Sequence, residues 1–160
     1  MRFLLGVLLG VFLMGNTVLA ADAGYGAKGA INSTQPTVEE MLQFAIQDEY
    51  LAKAQYSLVM DTFGELRPFS NIVQSEAQHI ALLRPLFTDR GWNVPEDESR
   101  PHLVTPQNFT EALKLAEQAE VDNIAMYEHF LNQKNIPDDL KSVFERLLAA
   151  SRRHLNAFRR

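Results

Sequence analysis

The sequence predicts an all-α fold, a four-helix bundle of two antiparallel hairpins joined by a long crossover between the second and third helices. Four segments place apolar residues at the i, i+3, i+4, i+7 spacing of an amphipathic helix, and none alternates convincingly like a strand. The connections within each pair of helices are short, whereas residues 91–105 separate the two pairs. Extended at roughly 3.3 Å per residue, that connection could span about 50 Å, more than the ~35 Å length of one helix. A bundle with only short loops is the simpler alternative.

The first twenty residues are typical of a secretory signal peptide. Arg2 precedes an apolar run over residues 3–14, and compact side chains lead up to a cleavage position after Ala20. The apolar run is shorter than the ~20 residues of a spanning helix, so an uncleaved membrane anchor is the second interpretation. We therefore expect residues 1–20 to be removed, no stable membrane insertion afterwards, and a periplasmic location.

Residues 21–36 are predicted to be a flexible linker, and residues 37–160 the folded domain. The linker is rich in Gly, Ala and small polar residues and has no periodicity. The domain begins with the sequence TVEE, a capping box in which Thr37 caps the first helix and Glu40 reaches back to it.

The helices of the domain are bounded by glycine and proline. We expect them over about residues 38–62, 67–90, 106–133 and 137–158. Gly64 and Gly91 follow the first two helices, and Pro137 is a favoured first residue for the fourth. Pro85 falls inside the second helix and is expected to kink it.

Composition excludes several classes of function. The chain has no cysteine, which rules out a disulfide framework, thiolate metal sites and cysteine nucleophiles. Its formal charge is −5, and basic residues cluster only at Arg152, Arg153, Arg159 and Arg160. Cations at the end of a helix suit the helix dipole, so no nucleic-acid partner is expected.

Each predicted helix carries a polar break in its apolar stripe. The breaks are Glu49 in the first helix, Glu76 and His79 in the second, Glu120 in the third, and Ser151 and His154 in the fourth. Residues equidistant from the turn of an antiparallel hairpin lie at the same height. Because the turns fall near the midpoints of these pairs, the breaks in each hairpin should be level to within roughly one turn, ~5 Å.

Three carboxylates and two imidazoles that meet in an apolar core require a neutralising partner. Unpaired buried charges cost several kcal/mol each, and a divalent or trivalent metal ion offsets that cost. Carboxylate and imidazole ligands without sulfur favour iron or manganese, and zinc is also compatible. The sequence therefore predicts a metal site in the middle of the bundle.

These residues resemble the ferritin-like di-iron carboxylate superfamily, to which rubrerythrins and ferritins belong. The resemblance covers Val38 to Phe158, and the sequences DEYLAKAQY, PFSNIVQSEAQH and ASRRHLNAF are similar to a ferritin-like branch classed as a domain of unknown function. It implies a pair of iron ions. Glu49 and His79 would bind the first iron, Glu76 and Glu120 would bridge or share the pair, and His154 would bind the second.

One position departs from the superfamily pattern, which usually repeats Glu-x-x-His on the fourth helix. Ser151 stands where that glutamate is expected, so the second iron would lose a terminal carboxylate. Glu117, one turn before Glu120, is a candidate replacement, as in rubrerythrin-type proteins that carry an additional glutamate on the third helix. Ser151 would otherwise be a small spacer between helices or a hydroxyl bonded to His154. Tyr56 and Tyr127, on the faces of Glu49 and Glu120, are either partners that orient ligands or ordinary core residues.

Three functions follow from these expectations. The first is an exported di-iron oxidoreductase of the peroxidase or ferroxidase type, which reacts with peroxide or dioxygen. The second is a metal-binding or sensing module without turnover, which the loss of the fourth glutamate favours. The third is a metal-free structural bundle. Association into a homodimer through helix faces is compatible with all three.

Overall fold

The computed structural model describes residues 24–160, and within that range it contains five α-helices and no strand. The helices are α1 (Gly26–Asn32), α2 (Val38–Phe63), α3 (Phe69–Thr88), α4 (Phe109–Leu131) and α5 (Asp138–Phe158). The predicted signal peptide over residues 1–20 lies outside the described residues. The last four helices are the predicted bundle, and their ends lie within a few residues of the expected positions.

Local sequence explains where α2 begins and ends. Glu40 N–H donates to Thr37 Oγ1 at 3.2 Å, and Thr37 N–H donates to the Glu40 carboxylate at 2.7 Å, which completes the predicted capping box. At the other end, Gly64 adopts a φ of 95° and its N–H donates to Met60 O. A glycine is favoured there because side chains disfavour positive φ.

The remaining bundle helices differ slightly from expectation. Pro85 lies inside α3, as predicted. Pro137 precedes α5 as its extended cap residue, whereas the sequence predicted it to be the first helical residue. Asn108 caps α4 by accepting from Glu111 N–H at 2.9 Å.

The short helix α1 was not predicted, and the flexible linker expected over residues 21–36 is wrong for this part. Ala27 and Ala30 are buried against α2 and α4. Ala27 N–H donates to Asp48 Oδ1 at 2.8 Å, and Gly26 N–H donates to Gln47 Oε1 at 3.2 Å. Side chains of α2 therefore cap α1, so its order comes from tertiary contacts and not from its own sequence.

The connection between the two hairpins is a crossover along the bundle, as predicted. Tyr56 contacts Glu120 and Tyr127 contacts Glu49, so residue numbers increase along α2 in the direction in which they decrease along α4. The two helices are therefore antiparallel, and α3 and α4 run in the same direction. The crossover includes a 3₁₀ turn at Arg100–His102. It is fastened to α2 where Gln55 donates to Val104 O at 2.7 Å and accepts from Val104 N–H at 2.9 Å.

Two apolar cores fill the bundle. The larger lies toward the α4–α5 turn and contains residues such as Leu42, Leu83, Phe130 and Phe144. The smaller lies toward the α2–α3 turn and contains residues such as Tyr56, Phe69, Ala112 and Phe158. The predicted polar breaks lie between these two cores, so apolar packing bounds them at both ends.

None of the helices in residues 24–160 combines the length and apolarity that crossing a bilayer requires.

Candidate metal centre

The structure brings five of the six predicted ligands together in the middle of the bundle. They are Glu49 on α2, Glu76 and His79 on α3, Glu120 on α4 and His154 on α5. All five are buried, with exposures between 1% and 8%. Charged residues are almost never buried to this extent unless they are paired or bind a metal.

The five residues form two groups that share one carboxylate. Glu49, Glu76 and His79 make the first group, and Glu76, Glu120 and His154 make the second. Within each group the potential ligand atoms all lie within 4.8 Å of one another. Glu76 is therefore the carboxylate placed to bridge, while Glu120 belongs to one group only.

Both imidazoles direct their Nδ1 atoms at these carboxylates. His79 Nδ1 lies 3.0 Å from Glu49 Oε2 and 2.7 Å from Glu76 Oε2. His154 Nδ1 lies 3.1 Å from Glu76 Oε1 and 3.5 Å from Glu120 Oε1. Despite these short distances, His154 Nδ1 makes no hydrogen bond of acceptable geometry to any group among residues 24–160. A buried nitrogen that faces two carboxylates without bonding to either is placed as a ligand atom would be.

Two buried tyrosines hold the outer carboxylates in a crossed arrangement. Tyr56 on α2 donates to Glu120 Oε1 at 2.8 Å, and Tyr127 on α4 donates to Glu49 Oε1 at 2.7 Å. Each tyrosine follows the glutamate of its own helix by seven residues and bonds to the glutamate of the other helix. They are therefore partners that orient the carboxylates, the first of the two interpretations that the sequence allowed.

This crossed pairing gives the centre an approximate twofold symmetry that Ser151 breaks. Ser151 and His154 on α5 have the spacing of Glu76 and His79 on α3, so Ser151 occupies the position equivalent to the shared carboxylate. The missing group is thus the counterpart of Glu76, which both groups share, whereas the sequence suggested a terminal carboxylate. Ser151 Oγ donates to Asn123 Oδ1 at 2.5 Å instead of bonding to His154.

The hydrogen-bond chain from Ser151 continues out of the centre. Asn123 is buried, and its Nδ2 donates to Asp48 Oδ2 at 2.7 Å. Asp48 in turn caps α1 through Ala27 N–H. The position of the absent glutamate is therefore connected to α1 by two side chains that sequence analysis did not identify.

Glu117 is the one predicted ligand that the structure does not bring to the centre. Its side chain is about one-third exposed, and its Oε2 lies 3.4 Å from Arg159 Nε. It belongs to neither of the two groups. The structure therefore gives no support to Glu117 as the replacement for the missing carboxylate.

Protons keep the metal-free centre close to neutral. Burial raises the pKa of Glu49 to about 8 and also raises the pKa of Glu120. Burial acts on Glu76 in the same direction, but the adjacent His154 and His79 hold its pKa at about 2. Burial alone would lower the pKa of both imidazoles, yet the facing carboxylates raise that of His79 to about 10 and that of His154 to about 9. Metal binding would displace these protons.

The residues present fit a transition-metal site. The donor set contains carboxylate oxygens and imidazole nitrogens without sulfur, which suits iron, manganese or zinc. Glu76 is shared by the two groups, and His154 Nδ1 is the atom of the centre that internal hydrogen bonding leaves without a partner among residues 24–160.

The far side of both imidazoles is occupied by Ser75, which sequence analysis missed. Ser75 Oγ lies 3.2 Å from His79 Nε2 and 3.1 Å from His154 Nε2. A lone serine one turn before a histidine is common on helices, so the sequence carried no signal for this contact.

Comparison with known proteins agrees with this geometry. The family model described as Rubrerythrin matches residues 40–160, which is most of the chain and contains every residue of the centre. The chain belongs to the rubrerythrin family. It is also 30% identical over 144 residues to an uncharacterized protein of Methanocaldococcus jannaschii, an alignment that covers 78% of this chain and 76% of the relative. No solved structure matches the chain significantly.

Proposed function

We propose that this rubrerythrin-family chain binds a pair of iron ions and uses them in redox chemistry with peroxide or dioxygen. The observation that carries the proposal is Glu76, a buried carboxylate shared by two groups that each add one glutamate and one histidine. Glu49 and His79 would hold one iron, and Glu120 and His154 the other. Bound iron would supply one-electron chemistry that protein side chains lack.

The protein's own groups prepare the centre for that role. Tyr56 and Tyr127 fix the orientation of the outer carboxylates, so these ligands need little reorganisation when a metal ion enters. The two apolar cores exclude water from both ends of the centre. The dielectric there is therefore low, which strengthens electrostatic interactions between its groups. The position of Ser151 leaves the side of the centre opposite Glu76 without a carboxylate, where an oxidant could approach.

A second candidate function is metal binding without turnover. The feature that favours it is the bond from Ser151 to Asn123, which replaces a bridging carboxylate with a group directed away from the metal ligands. The two metal positions would then differ in affinity. Such a protein could bind or sense iron without oxidising it faster than buffer does.

We also propose that the chain is exported and acts in the periplasm. This rests on the basic start, the apolar run and the compact cleavage position within residues 1–20. Cell fractionation of the full-length protein, with and without Arg2 and the apolar run, would test it.

Peroxide consumption by the iron-loaded protein tests the redox proposal. The protein is loaded anaerobically with ferrous iron, and the rates of iron oxidation and peroxide loss are compared with those of the same iron in buffer. Glu76→Gln should abolish any acceleration, whereas Glu117→Gln, which changes a glutamate outside the centre, should keep it. Iron binding without acceleration would favour the second candidate, and absence of binding would overturn both.

A further inference from the structure

Ser75 contacts both imidazoles of the centre on the side away from the carboxylates. It lies on α3, one turn before His79 and adjacent to Glu76, and it faces His154 on α5. The two rings are stacked, with centroids 5.6 Å apart and planes 20° apart. Their Nδ1 atoms face the carboxylates on one side, and their Nε2 atoms meet Ser75 Oγ on the other.

The chemistry of a hydroxyl determines what this arrangement can do. A serine oxygen has two lone pairs and can accept two hydrogen bonds at once. A neutral imidazole carries its hydrogen on one nitrogen, and a hydrogen bond to that nitrogen decides which one it is. If both rings donate Nε2–H to Ser75, both Nδ1 lone pairs are free for metal ions.

We propose that Ser75 is a positioning residue that fixes His79 and His154 together, with hydrogen on Nε2 and Nδ1 directed at the metal positions. The inference rests on the proposed metal-binding function. Ser75 also connects the two hairpins, because its own helix carries His79 and the opposite hairpin carries His154. A single hydroxyl therefore sets the geometry of one ligand in each of the two groups.

If Ser75 positions both imidazoles, its removal should affect both ligand groups, whereas removal of a residue that belongs to one group should affect that group alone. Removing an outer carboxylate such as Glu49 changes the ligands of one group only. Removing the Ser75 hydroxyl leaves every ligand in place but takes the acceptor from both imidazoles. Loss of such an outer partner typically lowers metal affinity by about 10–100-fold. For Ser75→Ala we expect a loss in that range at both positions.

The test uses zinc, which is diamagnetic, as the metal probe. Zinc affinities are measured by competition with a chelator, and Nε2–H resonances of His79 and His154 are followed by NMR in the zinc-loaded protein. The unmodified protein should bind two zinc ions and show both Nε2–H resonances. Ser75→Ala should weaken both positions and lose both resonances through faster exchange with water. Ser75→Thr, which keeps the hydroxyl, should retain them.

Ser57→Ala serves as the matched control. Ser57 is a partly exposed helical serine on α2 whose hydroxyl donates to Lys53 O, away from the centre, so neither affinity nor the resonances should change. Unchanged affinities and resonances in Ser75→Ala, or a change at one imidazole only, would overturn the shared role. Absence of both zinc and ferrous-iron binding by the unmodified protein would instead refute the proposed function, so the two failures are distinguishable.

Discussion

The carboxylate of Glu49 depends on a residue of a different helix for its orientation. Its Oε1 accepts from Tyr127, which is fully buried and belongs to α4. Tyr56 serves Glu120 in the reciprocal way. A change at either tyrosine should therefore be felt by the ligand on the opposite helix and not by the glutamate of its own helix.

We expect Tyr127→Phe to destabilise the metal-free protein by about 1–2 kcal/mol, because it leaves a buried carboxyl oxygen without its donor. It should also weaken metal binding at the Glu49 group more than at the Glu120 group. Chemical denaturation and a metal titration measure the two effects. Tyr50→Phe is the control, since Tyr50 is also buried but its hydroxyl donates to Pro95 O at 3.3 Å and accepts from Arg84 at 3.5 Å, outside the centre. Equal losses in the two variants would contradict the expected role of Tyr127.

Restoring the missing carboxylate should make the two metal positions more alike. Ser151→Glu places a glutamate at the position equivalent to Glu76, so we expect tighter binding of the second metal ion. The same change adds a buried carboxyl group and should cost the metal-free protein several kcal/mol of stability. Ser151→Ala is the control and should leave metal stoichiometry unchanged. A Ser151→Glu protein with no gain in affinity would show that the twofold relation does not extend to the ligands.

Among the elements, α1 is held at its first turn by side chains of α2. Gly26 has a φ of 59°, and a Cβ atom there would lie 2.6 Å from Asp48 Oδ1. We expect Gly26→Ala to detach α1, because alanine strains the backbone and also displaces the carboxylate that caps the helix. Hydrogen exchange of amides in Gly26–Asn32 should rise by at least tenfold.

Lys28→Ala, on the exposed face of α1, is the control for that experiment and should leave amide protection unchanged. Unchanged protection in Gly26→Ala would mean that burial of Ala27 and Ala30 alone holds the helix.

The bundle helices could be predicted from sequence because each encodes its own limits. Apolar periodicity, the capping box at Thr37 and the breaks at Gly64 and Gly91 are all local signals. Helix α1 has no such signal. Four of its seven residues are Gly or Ala, it lacks an amphipathic stripe, and its first N–H groups are capped by side chains of α2. Only tertiary structure could reveal it.

In the centre too, some residues are signalled by local sequence and others only by tertiary contacts. Glutamates and histidines in an apolar stripe are conspicuous, so the five residues that meet could be named in advance. The crossed tyrosine bonds depend on the register between α2 and α4, which hairpin geometry does not determine. Ser75 and Asn123 are ordinary polar residues in sequence. Glu117 lies one helical turn from Glu120, yet its side chain contacts Arg159 and not the centre, which the stripe pattern could not indicate.

For the molecule as a whole, the centre couples stability to pH. In the metal-free protein the pKa of His79 is about 10 and that of His154 about 9, above the unfolded value of about 6.5. The two protonated histidines therefore stabilise the fold fully below about pH 6.5, and this stabilisation is lost as pH rises through 9 to 10. The raised pKa of Glu49, about 8, opposes stability as pH rises above its unfolded value of about 4.3.

Glu76 acts in the opposite direction at low pH. Its pKa of about 2 lies below the unfolded value, so it stabilises the fold above about pH 4.3, and that stabilisation is lost as pH falls toward 2. We expect the free energy of unfolding of the metal-free protein to be greatest at about pH 4.3 and to fall as pH rises from there, most steeply between about pH 6.5 and 9. Denaturation across that range measures it, and stability that rises with pH there would contradict the proton-filled centre.

Metal stoichiometry measured by elemental analysis after anaerobic iron loading bears most directly on the shared carboxylate. We expect the unmodified protein to retain about two iron ions per chain. Glu76→Ala should lose both, Glu49→Ala should lose one, and Glu117→Ala should lose none. Retention of iron by Glu76→Ala at the level of the unmodified protein, or no iron in any of the four proteins, would contradict a centre built on Glu76.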